Sequence, residues 1–231
     1  MRGSKCTAWE GGTRAFSFWR WPGKWKPKVI NNLTAHLDIF PTLCDLTDSP
    51  VPSNLENKLE GYSLRPLLES SKPIEWNPKR ILFHHVARWP SGFAKSHKYA
   101  MAGVRQGNHL MLRSHDCGNP ECLQYMSQCK GLRIVSQGNK NMTYAHGTAQ
   151  YHWGVSPREH WVLYDVKKDP GCQNDLSQEK PGLITKLSIA YEKWWDNTFP
   201  EMMAKGGDLG DPGERRKMAT RNNKKRPKNK K

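Results

Sequence analysis

Long apolar runs are what this 231-residue chain most lacks. No stretch approaches the ~18–20 apolar residues that a helix needs to cross a bilayer, so no membrane partner is expected. Behind Met1-Arg2-Gly3-Ser4-Lys5 there is no apolar segment of the kind that directs secretion, so no export address is expected and localisation stays open. Acidic residues are scarce as well: 21 Asp and Glu stand against 37 Lys and Arg, a formal net charge of +16. A pair of close Cys-x2-4-Cys knuckles is also missing. Cys117-x4-Cys122, with His115 beside it, stands unpaired, and Cys129 follows at the looser spacing of six intervening residues. Zinc is the least favoured reading there, and a disulfide or free thiols remain open for these and for Cys6, Cys44 and Cys172.

What is present is unevenly distributed. Residues 214–231 hold ten Lys or Arg and one Glu, more than half of the excess charge. With almost no apolar residue, that tail has nothing to offset its ordering entropy and is expected to be disordered. It could touch anionic polymers by charge alone, or be a solvated tail; no specific nucleic acid is expected. Upstream, 36% hydrophobic residues and ten Trp suffice for a core.

Residues 14–20 read as a short strand entering the Pro22-Gly23 turn, and 29–33 as a second extended piece. From His36 to Leu46 a helix is expected, with Asp38 as N-cap and Phe40, Leu43 and Leu46 at helical spacing. A turn leads into a short helix near Arg65-Pro66-Leu67-Leu68. After the polar stretch 70–79 the texture changes to strands: 80–86, then 99–105 and 109–113 flanking Gln106-Gly107-Asn108, then 161–165. Leu183, Leu187, Ala190, Tyr191 and Trp194 mark a closing helix over about 181–197.

Four ordered segments carry a family resemblance. Lys5-Cys6-Thr7-Ala8-Trp9-Glu10-Gly11-Gly12-Thr13-Arg14 resembles the G-K-x-T-x-[YW]-E-G-G-x-R stretch of the sulfatases. Ala35 to Leu43 resembles that family's H-x-D-[LI]-x-P-T-L element, and Gly61-Tyr62-Ser63-Leu64 through Leu68 its D-G-x-S-L-x-P-L-L element, with Glu60 in place of the aspartate. Trp161-x-Leu163-Tyr164-Asp165-x-x-x-Asp169-Pro170, with Asn174 and Leu176, resembles the W-x-L-Y-D-L-x-x-D-P-x-E-x-x-N-L signature. The resemblance is to the C-terminal portion of an arylsulfatase-type enzyme of the alkaline-phosphatase-like superfamily.

In that family a hydrated formylglycine, made from Cys or Ser in a C/S-x-P-x-R motif, attacks the sulfur of a sulfate ester. A divalent cation, usually calcium, neutralises the developing charge, and Lys and His donors complete the cradle. No C/S-x-P-x-R occurs in this chain: Cys117-Gly118-Asn119-Pro120-Glu121 has its proline one place late and lacks the arginine. The paired metal-binding aspartates and the Asp-Asn-Gly element are not found either, so no metal ligand is expected here. Lys5 is the one residue the resemblance makes catalytic, as a contact to the sulfate group. Glu10 and Arg14 are expected to pair with each other or with backbone. His84, His85 and Arg88, in a run that ends Trp89-Pro90, are candidate substrate-binding residues, since Arg forks onto sulfate and Trp stacks on a sugar ring. Alternation puts His84 and His85 on opposite faces of a strand, so the two do not share a metal.

The expected fold is α/β: the last elements of the sulfatase catalytic domain over residues 1–75, an antiparallel-sheet subdomain with a closing helix over 80–200, and the basic tail from 201 to 231. The expected function is that of a sulfuric ester hydrolase present as a C-terminal portion, inactive alone, with the N-terminal half as a candidate partner. Its partners would be sulfated small molecules or polysaccharides. Intact relatives of this type are typically periplasmic, secreted or lysosomal. The alternative is a non-catalytic module for sulfated or anionic polysaccharide. Those readings separate on a heparin column: a binding module keeps salt-sensitive retention after deletion of residues 214–231, whereas nonspecific charge attraction is lost with the tail.

Overall fold

The structure is a computed structural model, and it describes residues 1–3, 7–86, 89, 92–115, 143–144, 147–148 and 160–204. Lys5, Cys6, Arg88, the Cys117–Cys129 cluster and the basic tail from residue 205 onward therefore lie outside the described residues, and 201–204, expected to begin that tail, are helical. The described chain forms two compact units. One is built from Met1–Arg14 together with the described residues from Phe83 onward, the other from Ala15–Leu82.

A hairpin organises the first unit. Strands β2 (Ala102–Gln106) and β3 (His109–Arg113) pair antiparallel around Gly107, whose φ of 54° suits the tight turn. Strand β1 (Ile81–His85) lies beside β2, and β6 (Val162–Asp165) pairs antiparallel with β3, giving the order β1-β2-β3-β6. The short strands β4 (Thr143–Tyr144) and β5 (Gly147–Thr148) pair separately.

Register fixes what each face of the four-stranded sheet carries, because directly opposed residues share a face. Gly103 opposes Leu112, Arg105 opposes Leu110, and Tyr164 opposes Leu110. That face is covered by the N-terminal segment, whose helical turn α1 (Glu10–Thr13) follows Trp9. Trp9 is fully buried among Leu110, Leu112, Val162, Tyr164, Val166 and Cys172. The opposite face carries Phe83, Val104, Met111 and Leu163, and is covered by the long helix. Among the described residues this is the fourth α-helix in chain order, α4 (Pro181–Ala204). Its Leu187, Tyr191 and Trp195 are buried at i, i+4 and i+8, and Trp194 stacks on Phe83 at 5.1 Å. Helix α4 is clamped to the 95–100 segment by Tyr99 Oη donating to Glu192, Tyr191 Oη donating to Lys98 O, and Lys98 pairing with Glu192 and Asp196. It runs beyond the expected Asn197, with Pro200 inside it.

The second unit is held by polar bonds between helix α2 (Ile39–Leu46), preceded by a 3-10 turn at His36–Asp38, and the segment leading into α3 (Arg65–Glu69). Asp38 is fully buried and bidentate to Arg80, at 2.6 and 2.7 Å. It also accepts from the backbone N–H of Ala35 and of Tyr62. One turn on, Thr42 Oγ1 accepts from Leu64 N at 2.8 Å; a further turn on, Asp45 accepts from Ser63 Oγ and pairs with Arg65. Gly61 is required at this crossing, since a Cβ there would stand 1.9 Å from Leu37 O. Leu64, Leu67 and Leu68 form a small core with Trp19, Trp25, Ile30, Leu46, Ile74 and Trp76. Lys28 Nζ donates to Leu67 O and Ser70 O, satisfying carbonyls at the end of α3.

Two readings of the sequence change. Residues 14–20 lie in no strand, and Phe16 and Phe18 are 85% and 89% exposed. Asp38 does return to Ala35 N across its 3-10 turn, yet makes no capping bond to α2; its carboxylate is taken by Arg80. Removing one member of a buried ion pair leaves the other uncompensated, at a cost of about 3–5 kcal/mol. Asp38→Ala should lower stability by that order in urea titration, and a loss below about 1 kcal/mol would show that the pair is dispensable.

Candidate functional site

The segment around Lys5 is anchored on both sides, although Lys5 itself lies outside the described residues. Gly11 N donates to Arg2 O at 2.9 Å, bringing the two flanks together. Both glycines at the crossing are sterically required. A Cβ on Gly11 would meet Gly3 O at 2.2 Å, and one on Gly3, whose φ is 84°, would meet Trp9 Cβ at 2.5 Å. The Arg2 guanidinium lies over the Trp9 ring at 4.3 Å and donates to Cys172 O. Glu10 pairs with Arg105 of β2 at 2.5 Å and with Arg14 at 3.7 Å. The Glu10–Arg14 pairing expected from the sequence is present, but the closer partner is Arg105. One sign of it was a charge in a strand flanked by apolar residues. The other is alternation, which puts Arg105 on the face that Trp9 covers.

His84 and His85 part company. Alternation sends His84 to the sheet face that the N-terminal segment covers. There Gly103 offers a bare position flanked by Ala8 and His84: a Cβ on it would stand 3.3 Å from Ala8 Cβ and 3.7 Å from His84 Cβ. His85 lies on the face toward α4, its ring 5.0 Å from that of Trp195 and 5.9 Å from that of Trp89. Its Nε2 lies 2.8 Å from His97 O, and because a carbonyl only accepts, that nitrogen carries the proton. His97 in turn donates from Nδ1 to Phe93 O. Removal from water pushes His85 from 6.5 down to about 4, against the opposing pull of the hydrogen bond to His97.

The acidic residues of the motifs are engaged in structure. Asp45 is held below the usual carboxylate range, chiefly by the Ser63 hydroxyl and then by Arg65. Asp165 accepts from Lys167 N and Lys168 N, Asp169 from Gln173 N and Asn174 N, and Asp175 from Leu163 N and Ser177 N. The W-x-L-Y-D signature is thus a chain of side-chain-closed turns fastening β6 to the approach of α4. Among the described residues no group of three or more His, Cys, Asp or Glu could hold a metal ion. The described residues do not fit the divalent cation implied by the resemblance. Among the described residues, Cys44 and Cys172 are free thiols, and burial pushes Cys172 up to about 11. Among them also, no helix is long and apolar enough to cross a membrane.

Comparison with known proteins gives these motifs their context. No family model matches the chain. Steryl-sulfatase of Rattus norvegicus is 32% identical over 206 residues, 86% of this chain and 35% of its own length. Arylsulfatase A of Homo sapiens is 35% identical over 177 residues, 76% of this chain and 28% of its own. This chain belongs to the sulfatase family. It spans about a quarter to a third of the length of the curated relatives it matches. A solved structure from Bacteroides thetaiotaomicron, described under metabolism of multiple glycosaminoglycans, superposes with a TM-score of 0.53 at 21% identity. That match covers 83% of this chain and 31% of the other, and shows likeness of fold.

The depressed His85 pKa carries a sign. An unfolded imidazole near 6.5 binds protons before the folded one near 4, so the contribution is complete above about pH 6.5 and is lost as the pH falls toward 4. From pH 7.5 to 5 this amounts to about 2 kcal/mol. Urea titrations at the two pH values should show that loss in the wild-type chain and a smaller one in His85→Phe; equal losses would assign the acid sensitivity to other groups.

Proposed function

We propose that this sulfatase-family chain forms the lysine-bearing C-terminal portion of a sulfuric ester hydrolase with the alkaline-phosphatase-like α/β architecture, and that it does not turn over sulfate esters alone. The observation that carries the reading is the anchored crossing of residues 2–3 and 9–11. Both sides of the Lys5 segment are tied to one sheet by Arg2, Trp9 and Glu10, with glycine wherever a side chain would collide. Such investment in fixing a short loop suits a group that must be presented at a set position.

Lys5 is assigned to the sulfate group of the substrate. Hydrolysis adds water across the ester: the S–O bond to the alcohol breaks, and the alcohol leaves carrying a proton. Negative charge shifts onto the sulfate and leaving oxygens, and a compact ammonium on a reaching stem stabilises it by proximity. His84 shares the sheet face with Ala8 and is assigned a place beside that segment; Arg88 remains a proposed contact to the anionic substrate. His85, closed off by His97 and Trp195, contributes stability. The substrate is a sulfated aryl compound or a sulfated sugar.

The purified chain, incubated with a chromogenic aryl sulfate and calcium, should release no product above background. Turnover that depends on added divalent cation would overturn the assignment of the remaining machinery to polypeptide beyond the motifs found here.

A further inference from the structure

Helix α2 is amphipathic with its apolar side outward. Ile39, Phe40 and Leu43 lie within about a third of the helix circumference at 3.6 residues per turn, and they are 46%, 42% and 49% exposed. Asp38, Thr42 and Asp45, at i, i+4 and i+7, line the other side. That polar side is the one turned inward: Asp38 and Thr42 are fully buried. A surface helix normally buries its apolar stripe and wets its polar one.

The helix has no freedom to roll over. Turning the apolar stripe inward would tear Asp38 from Arg80 and from the N–H of Tyr62, Thr42 from Leu64 N, and Asp45 from Ser63 and Arg65. Leu37, 40% exposed, extends the apolar side. A helix buries an apolar stripe against a second layer, and among the described residues the Ala15–Leu82 unit holds helices α2 and α3 and only the first two residues of a strand. Relatives of this chain carry two to three times as much additional polypeptide as the span it matches.

From this we infer that the outer stripe of α2, formed by Leu37, Ile39, Phe40 and Leu43, is the docking surface for the part of a sulfatase polypeptide that lies outside the matched span, which lays an apolar layer over it. This rests on the proposed function and names the surface through which the enzyme would be completed.

The test co-expresses the full 231-residue chain with the part of human arylsulfatase A outside the matched 177 residues. The two should co-purify, and binding of a hydrophobic fluorophore by the 231-residue chain should fall on association. Phe40→Asp and Leu43→Asp should each weaken association at least tenfold while leaving the melting temperature of the isolated chain within a few degrees, since both positions are exposed; Ile39→Lys serves if either fails that control. Lys24→Ala, which breaks a solvent-facing pair with Glu69, should change nothing. Failure to co-purify, or association indifferent to the three stripe variants, overturns the inference. So does a homodimer of the chain alone that the same variants disperse, because a second copy would then be the occupant. Aryl sulfate turnover is scored separately: a stripe-dependent complex without turnover removes the proposed function and leaves the docking surface, while turnover indifferent to the stripe does the reverse.

Discussion

A carboxylate taken fully out of water must be met by donors on every side, and the Ala15–Leu82 unit is arranged around meeting one. Asp38 receives two guanidinium bonds and two backbone amides, from three separate places in the chain. Arg80, which supplies two of them, lies about 5 Å from the ring centroids of both Tyr62 and Trp76. The start of α2, the Gly61–Tyr62 crossing and the entry to β1 are thereby positioned relative to one another. With a core of only three leucines and their aromatic neighbours, apolar burial there is modest. Direction comes from the polar bonds, which accept one arrangement only.

The other unit solves a different problem. Its sheet must be covered on both faces, and the two covers come from opposite ends of the described chain: Trp9 and its neighbours on one side, α4 on the other. On the Trp9 side one large aromatic residue fills the centre, and the Glu10–Arg105 and Arg2–Cys172 contacts fasten the edges.

Much of this was legible in the residues. The hairpin around Gly107 and the closing helix follow from turn chemistry and from 3.6-residue periodicity, local signals that do not depend on the rest of the chain. The four family motifs were visible too, but their roles were not. Asp38 looks like an N-cap because a cap and a buried ion-pair member present the same letter; only Arg80, 42 residues away, separates them. Phe16 and Phe18 alternate as a strand would, yet a strand needs a neighbour to pair with, which no local pattern supplies. The divergence of His84 and His85 was readable from period-two alternation, whereas the burial of His85 depended on Trp195, far along the chain.

The separation of Arg2 from Cys172, 170 positions, has a consequence for how the molecule comes into being. A ribosome adding about 5–20 residues per second needs roughly ten to thirty seconds after making Trp9 before β6 is available to cover it. In that interval the Ala15–Leu82 unit, whose polar bonds span shorter stretches, can close first, as low contact order favours. The order of assembly then runs from the middle of the chain outward. Trp9, made before the strands it packs against, is among the last residues to find its place, because the face it fills is complete only once β6 has joined the sheet.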